Sequence, residues 1–490
     1  MATTDVPTPR PSNAAAILAI VLLGYFMILM DASIIFTALP TIRAAMGFSA
    51  TGLSWVQDAY TLVFGGLLLL GARAGDLLGR RRVFVAGLAL FAAASLLVGA
   101  APAGWWLIAA RAVQGAGAAI VAPSSLSLLT ASFPEGRARS RAVAWYGATA
   151  GLGASLGLVI GGALTQWVSW RAGFVINVPI GAAMIALAPR FLPETSSRRG
   201  HFDLTGAVTA TLGVGAIVFG TIRAAESGWT SPVTVAALLT GALSLVGLIV
   251  GERRARQPIM PLRLFGSRVR VGAYLARLLY MGAMIGFFYF TTQFLQGVLG
   301  FSSFQAGLAF FPMTIVNFVV AMAIPRLTTR FGQMVPLTVG VALTLLGMIW
   351  LSRVHAGSSY LDAIAGPMVL IGAGQGLAFA PLTSAGITGV DARDAGAASG
   401  LVNTFHQFGM ALGLGLLVTV AAHSGTESAT PTEHVATALT AGSILLAACL
   451  VTVAGLIVPA RHATARVAIR VTSKRIPQKP QPGTTTLANN

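Results

Sequence analysis

Long apolar stretches alternate with short polar, arginine-bearing segments along almost the whole chain. A membrane-crossing helix needs about 20 mainly apolar residues. Fourteen stretches meet that need, near 15–38, 53–72, 83–101, 105–130, 143–165, 172–190, 204–222, 232–251, 271–296, 305–325, 335–352, 362–385, 396–421 and 436–459. They are numbered spans 1 to 14. Backbone facing lipid must bond internally, so these stretches are predicted as helices rather than strands. The expectation is an all-α polytopic membrane protein. If the weaker stretches 7 and 8 do not cross, the count falls to twelve. The first run is too long for the apolar core of a cleaved signal peptide and is read as a span.

Composition agrees with this pattern. Only 9% of the 490 residues are charged and 55% are hydrophobic, against about 25% charged in a soluble chain. So little charge cannot cover a water-facing surface. The net charge of +18 would suggest nucleic acid in a soluble protein. Here the arginines sit in short clusters between apolar runs, without interleaved aromatics, which argues against that partner. The single cysteine, Cys449, lies in an apolar stretch, so neither an intrachain disulfide nor a Cys/His metal motif is available. The excess of Arg over Lys, with abundant Ala and Gly, suggests a high-GC bacterium and hence its inner membrane.

Arginine placement orients the spans. With both tails inside, the inner segments carry Arg73 and Arg80–Arg82, then Arg137, Arg139 and Arg141, then Arg190, Arg198 and Arg199. Further along they carry Arg253, Arg254, Arg256, Arg263, Arg268 and Arg270, then Arg326, Arg330 and Arg393. The outer loops hold Arg43, Arg171, Arg223 and Arg353, while Arg111 and Arg277 lie within spans. This is the asymmetry of the positive-inside rule, and losing one span would scramble it. Both termini are therefore expected in the cytoplasm. The expected organisation is a tail (1–14), a first six-helix bundle (15–192), an inserted pair (203–252), a second six-helix bundle (268–460) and a basic disordered tail (461–490).

The two bundles share a weak repeat. QGAGAAIVAP of span 4 ends at Pro123 and GAGQGLAFAP of span 12 ends at Pro381. RAGDLLGRRR after span 2 pairs with LTTRFGQMVP after span 10, matching Gly79 to Gly332. Such halves around a central site are common in secondary transporters.

These segments also carry a family likeness. GARAGDLLGRRRVF resembles the signature loop of the major facilitator superfamily. MDASIIFTALP, WVQDAYTL, RAVQGAGAAIVAP, GLGASLGLVIGG, SWRAGFVINVPIG, GFSSFQAGLAFFP and GAASGLVNTFHQFGMALG resemble, in order, segments of its fourteen-span drug:proton antiporter group. Three positions depart from the usual pattern: Ala72 in the loop, Leu158 where a proline commonly follows the span 5 glycine, and His406 where an arginine commonly stands.

Charges within a bilayer cost roughly 2.5–3.5 kcal/mol each on insertion scales, so few persist without a role. Asp31 in span 1, Asp58 in span 2 and Arg111 in span 4 fall at similar depth, Asp31 roughly 10 Å from the outer end at about 1.5 Å per residue. Asp31 and Asp58 are expected to compete for the Arg111 charge, which would let one carboxylate bind and release protons. A structural ion pair is the plainer alternative. The resemblance links Arg111 to proton coupling. It also implies that Asp76, Arg80 and Arg81 form a cytoplasmic gate holding the halves together. Gly153, Gly157, Gly161 and Gly162 recur in span 5 with helical spacing and permit close helix contact, as packing or as a moving seal. Arg277 either snorkels to the inner surface or lines a cavity. Trp55, Tyr60, Asn177, Tyr289, Gln293, Gln296, Asn403, His406 and Gln407 are candidates to line that cavity, with interhelical bonding or packing as the alternative for each.

The only lysines, Lys474 and Lys479, lie in the tail, so no phosphate-loop lysine supports ATP hydrolysis. GASLG at 153–157 fits the nucleophile-serine pattern, but in a glycine-rich span with no strand before it. No enzyme activity and no cofactor are expected. The predicted function is a proton-gradient-driven exporter of hydrophobic or cationic small molecules, acting as a monomer in lipid. A dedicated natural-product, metabolite or lipid carrier is the alternative within the same fold, and an uncoupled sensor or channel is the alternative outside it.

Overall fold

The computed structural model describes residues 11–134, 136–194, 203–255, 258, 260–391, 394–423 and 430–459. Residues 1–10 of the expected first tail and all of the expected 461–490 tail lie outside the described residues, as do Arg198, Arg199, Arg256 and Arg393, whereas residues 11–14 of the expected first tail belong to the first helix, which begins at Pro11. Fourteen helices among the described residues are long and apolar enough to cross a membrane. Spans 1 to 6 are Ala14–Met46, Gly52–Leu78, Arg80–Gly99, Gly104–Ser132, Arg137–Trp167 and Ala172–Phe191. Spans 7 and 8 are Leu204–Ser227 and Pro232–Arg254. Spans 9 to 14 are Arg268–Gly297, Ser303–Phe331, Met334–Leu351, Leu361–Ile387, Ala395–His423 and Pro431–Ile457. No strand occurs among the described residues.

Each apolar stretch of the sequence became one span, the weaker stretches 7 and 8 included. Several helices outrun their apolar core, because backbone hydrogen bonding continues past the lipid boundary. Prolines occur inside spans 1, 4, 6, 10 and 12, at Pro40, Pro123, Pro189, Pro325 and Pro381. Neighbouring helices re-satisfy the backbone groups such prolines free. Because the spans alternate in direction, Arg80–Arg82, Arg190, Arg253, Arg268 and Arg330 share one end of the bundle, here called the basic face.

The sequence repeat has a backbone counterpart. Gly79 (φ +96°) ends span 2 and Gly332 (φ +74°) ends span 10, both in the left-handed region that favours glycine. Each turns the chain sharply into the next span.

Spans 1 to 6 pack mainly on one another, and so do spans 9 to 14. The two groups meet at several places on the face opposite the basic one. Gly162 of span 5 lies against Ser303 and Phe304, and Gly307 against Leu158. Trp167 packs on Phe304 with ring centroids 4.8 Å apart. Gln296 donates to the Thr37 carbonyl at 3.0 Å, and Phe36 stacks on Phe288 at 5.4 Å. Spans 2 and 13 continue the contact to mid-bundle, where Gly65 abuts Gln407 and Phe408. Toward the basic face, Phe379 and Asn403 are exposed although both lie well inside their helices. The opposite face is thus the closed one.

Spans 7 and 8 pack closely together through Gly213, Gly220 and Gly241. Span 7 then touches both groups. Its Thr211 meets Gly66 of span 2, and its Thr221 carbonyl accepts from Thr419 of span 13 at 2.8 Å.

Candidate functional site

Asp31 and Arg111 have no solvent exposure at all, and Arg111 Nη1 donates to Asp31 Oδ2 at 2.7 Å. Gln114 Nε2 and Asn177 Nδ2 each donate to Asp31 Oδ1 at 2.8 Å. Arg111 Nη1 also donates to Gln114 Oε1 at 2.6 Å, and Arg111 Nε to the Val56 carbonyl at 3.0 Å. Gln114 further donates to Ser95 Oγ at 2.8 Å. Spans 1, 2, 3, 4 and 6 all contribute to this knot. A buried ion pair repays its lost hydration only when hydrogen bonds satisfy the remaining lone pairs and protons. The Asp31 carboxylate accepts three, which meets that condition on the carboxylate side, whereas Arg111 Nη2 is buried without a hydrogen-bond partner among the described residues.

Local sequence places these groups. Arg111 and Gln114 are three residues apart and share one face of span 4. Span 6 runs on through Ile176 in helical geometry, and Asn177 projects from it into the bundle. The Tyr60 ring lies under the Arg111 guanidinium at 4.3 Å and the Phe174 ring at 5.5 Å, a favourable placement for a desolvated cation. Span 5 supports Asp31 from behind. A Cβ on Gly157 would stand 2.7 Å from the Met30 carbonyl, and one on Gly161 would stand 2.7 Å from the Ile34 Cα. Gly153 likewise abuts Leu29. The expected span 5 glycines are therefore the surface against which the Asp31 helix rests, and Gly162 extends it onto span 10. Leu158, in the departing position, is buried and offers its carbonyl edge to Gly307.

Other expectations need correction. Asp58 does not compete for Arg111. It is fully buried, neither of its oxygens has a hydrogen-bond partner among the described residues, and it lies within electrostatic range of Tyr289 of span 9. It lies between Val56 and Tyr60, which both reach Arg111, so at two residues from each it points to the other side of span 2. Trp55 does not line a central cavity. It packs on Phe219 of span 7 in a cleft of about 280 Å³ between span 2 and the inserted pair. Arg277 does not snorkel to the surface. It is 2% exposed, with its guanidinium 3.8 Å above the Phe379 ring.

The expected gate residues make their contacts within the first group. Arg80 pairs with Asp76 at 3.3 Å and donates to the Ser127 carbonyl. Arg81 donates to the carbonyls of Pro189 and Leu192 and pairs with Glu194 at 3.4 Å. These bonds tie spans 2, 3, 4 and 6 together at the basic face.

The remaining candidates separate by position. Tyr60 and Asn177 belong to the Asp31 knot. Tyr289 is buried with its hydroxyl unpartnered among the described residues. Gln293 reaches only its own helix, at the Tyr289 carbonyl. Gln296 ties the two groups together through Thr37 and also accepts from Ser303. Gln407 packs on Gly65, and Asn403 donates to the Ser399 carbonyl. His406 sits 6.1 Å from the Phe379 ring. Sequence reasoning missed Gln114 and Ser95 as partners of the buried charges. The Arg-x-x-Gln spacing in span 4 was the available signal for Gln114, whereas nothing local distinguishes Ser95.

Comparison with known proteins agrees with this architecture. The family model described as Major Facilitator Superfamily matches residues 21–414. The chain is 42% identical over 431 residues to the cephamycin export protein CmcT of Amycolatopsis lactamdurans, covering 87% of this chain and 88% of that protein. It is 38% identical over 427 residues to the puromycin resistance protein pur8 of Streptomyces alboniger, covering 85% and 83%. Among solved structures, a peptide transporter POT in complex with sulfate superposes with a TM-score of 0.67 at 14% identity, over 92% of this chain and 96% of that one. That last likeness concerns the fold alone.

Proposed function

This chain belongs to the Major Facilitator Superfamily, and from that premise we propose that it expels small antibiotic-like molecules in exchange for protons, by alternating access. The observation that carries the reading is the Asp31 knot. A membrane-buried carboxylate is held by one cation and two amides drawn from separate helices, so every bond to it can be traded when the helices move. Protonating Asp31 would weaken its tie to Arg111 and loosen spans 1 and 4. Cargo entering from the basic face would favour the deprotonated, tied state. Rocking of the two groups would then carry cargo to the other side, where a proton replaces it.

One proton moving inward through roughly 150 mV supplies about 3.5 kcal/mol, at about 2.3 kcal/mol per 100 mV. That sustains a cargo gradient of roughly a few hundred-fold. The clustered arginines support placing the basic face and both termini in the cytoplasm of a bacterial inner membrane. Both groups needed for rocking lie in one chain, which supports a monomeric working unit. The named relatives are tied to single antibiotics, which favours a second reading of one dedicated natural-product cargo.

The test is proton release from purified protein in detergent when candidate antibiotics are added, wild type beside Asp31→Asn. Release in the wild type and none in the variant is expected. Release that persists in the variant would move coupling away from Asp31. Binding without any release would remove the exchange mechanism.

A further inference from the structure

Arg277 of span 9 is the second fully intramembrane cation, and its surroundings are the reverse of those of Arg111. It is 2% exposed, yet Nε and Nη1 have no hydrogen-bond partner among the described residues. The titratable groups within electrostatic range of it are the neutral phenols of Tyr280 and Tyr25 and the imidazole of His406, with no carboxylate among them. Its guanidinium face is covered by Phe379 of span 12 at 3.8 Å, which leaves the planar N–H edge for something else. His406 of span 13 stands at the edge of the same ring, 6.1 Å from its centroid, with Nδ1 unpartnered. Gln375 lies one turn before Phe379, and its Oε1 is also unpartnered. Asn403, one turn from His406, is exposed.

Arg277, Phe379, Asn403 and His406 all lie roughly two to three helical turns from the basic face, about 12–17 Å at 1.5 Å per residue. They face the side on which the interior is exposed. No carboxylate among the described residues pairs with this cation, although leaving one buried and unpaired is costly. A planar guanidinium fork matches a two-oxygen anion, and an aromatic ring beneath it fixes the fork's orientation.

We propose that Arg277, with Phe379 and His406, forms a subsite for the anionic group, a carboxylate or sulfonate, of the transported molecule. The subsite rests on the exporter reading above and narrows its cargo from small antibiotic-like molecules to amphiphilic acids. It belongs to the second group of helices, whereas the Asp31 knot belongs to the first. A cargo bound here would therefore lie between the two and bring its apolar body toward Tyr25 and Tyr146, whose rings stack at 4.0 Å.

Binding to the purified full chain in detergent tests this with three probes: benzylpenicillin as the carboxylate, its methyl ester as the neutral analogue, and tetraphenylphosphonium as a cation. The wild type is expected to prefer the carboxylate over the ester by about ten- to hundred-fold, the scale of one charge-assisted contact. Arg277→Gln should erase that preference by weakening the acid far more than the ester, Arg277→Lys should keep part of it, and His406→Ala should reduce it. Gel filtration of each variant checks folding, and if Arg277→Gln does not fold, His406→Ala and Arg277→Lys carry the test. Equal binding of acid and ester by the wild type, no binding of the acid at about 1 mM, tighter binding of the cation, or a preference that survives Arg277→Gln would overturn the subsite. Proton release that does not depend on Asp31, with acid preference intact, would instead sink the coupling reading alone.

Discussion

Arg111 of span 4 and Asp31 of span 1 form a 2.7 Å ion pair in which neither side chain has any exposure. Two amides complete the carboxylate's coordination. Such a pair is easily mistaken for a source of stability. Its net worth is small, because desolvation takes back most of the attraction, but breaking one side is expensive. A mobile coupling site would use that asymmetry: protonating the carboxylate leaves the guanidinium, which stays charged, without its partner, and the helices must rearrange to accommodate it.

The first prediction concerns this asymmetry. Asp31→Asn and Arg111→Gln should each lower the melting temperature in detergent, with losses of about 3–5 kcal/mol. The double variant should recover part of the loss, with a coupling energy of about 1–3 kcal/mol. Additive losses would mean that the pair does not act as a unit.

Asp58 gives a contrasting case. Its oxygens are buried and unpartnered among the described residues. Asp58→Asn should therefore cost less than about 1 kcal/mol, where Asp31→Asn costs several. Thermal unfolding of the two variants side by side checks the difference, and equal destabilisation would point to a partner for Asp58 in the folded protein.

Span 5 predicts a graded glycine series. Gly157→Ala and Gly161→Ala would place a methyl 2.7 Å from the backbone of span 1 and should cost about 1–3 kcal/mol together with most drug efflux. Nothing among the described residues lies within 4 Å of a Cβ on Gly147, so Gly147→Ala should leave efflux near the wild-type rate. Whole-cell efflux of a fluorescent drug separates the three, and equal loss at all of them would remove the close-contact explanation.

Closure of the face opposite the basic one predicts a cross-link. Trp167 and Phe304 pack at 4.8 Å from the two groups of helices, and the native Cys449 is buried. In a Cys449→Ser background, paired Trp167→Cys and Phe304→Cys should be joined by a short bifunctional reagent, and transport should stop. A reducible reagent should restore it on reduction. Cross-linking that leaves transport at full rate would show that this contact need not open.

Much of the architecture is legible in the chain itself. Lipid forces every span to be a long apolar helix, so span number and approximate limits follow from the apolar stretches alone. Gly79 and Gly332 mark the repeat because only glycine readily takes a positive φ at those turns. The intramembrane charges Asp31, Asp58, Arg111 and Arg277 stand out because each is costly in lipid.

Pairing, by contrast, depends on helix rotation and depth, which apolar periodicity specifies poorly when helices are hydrophobic on nearly every side. Only the packed structure decided that Asp31, not Asp58, meets Arg111, and that Asn177 of span 6 is brought to it. The same packing put Trp55 against span 7 and left Arg277 buried without a counter-charge among the described residues. The sequence determined which residues are too polar to be there without cause. The tertiary structure decided their neighbours, because a buried charge is defined by what comes within about 4 Å of it, and those atoms arrive from helices up to 146 residues away in the chain.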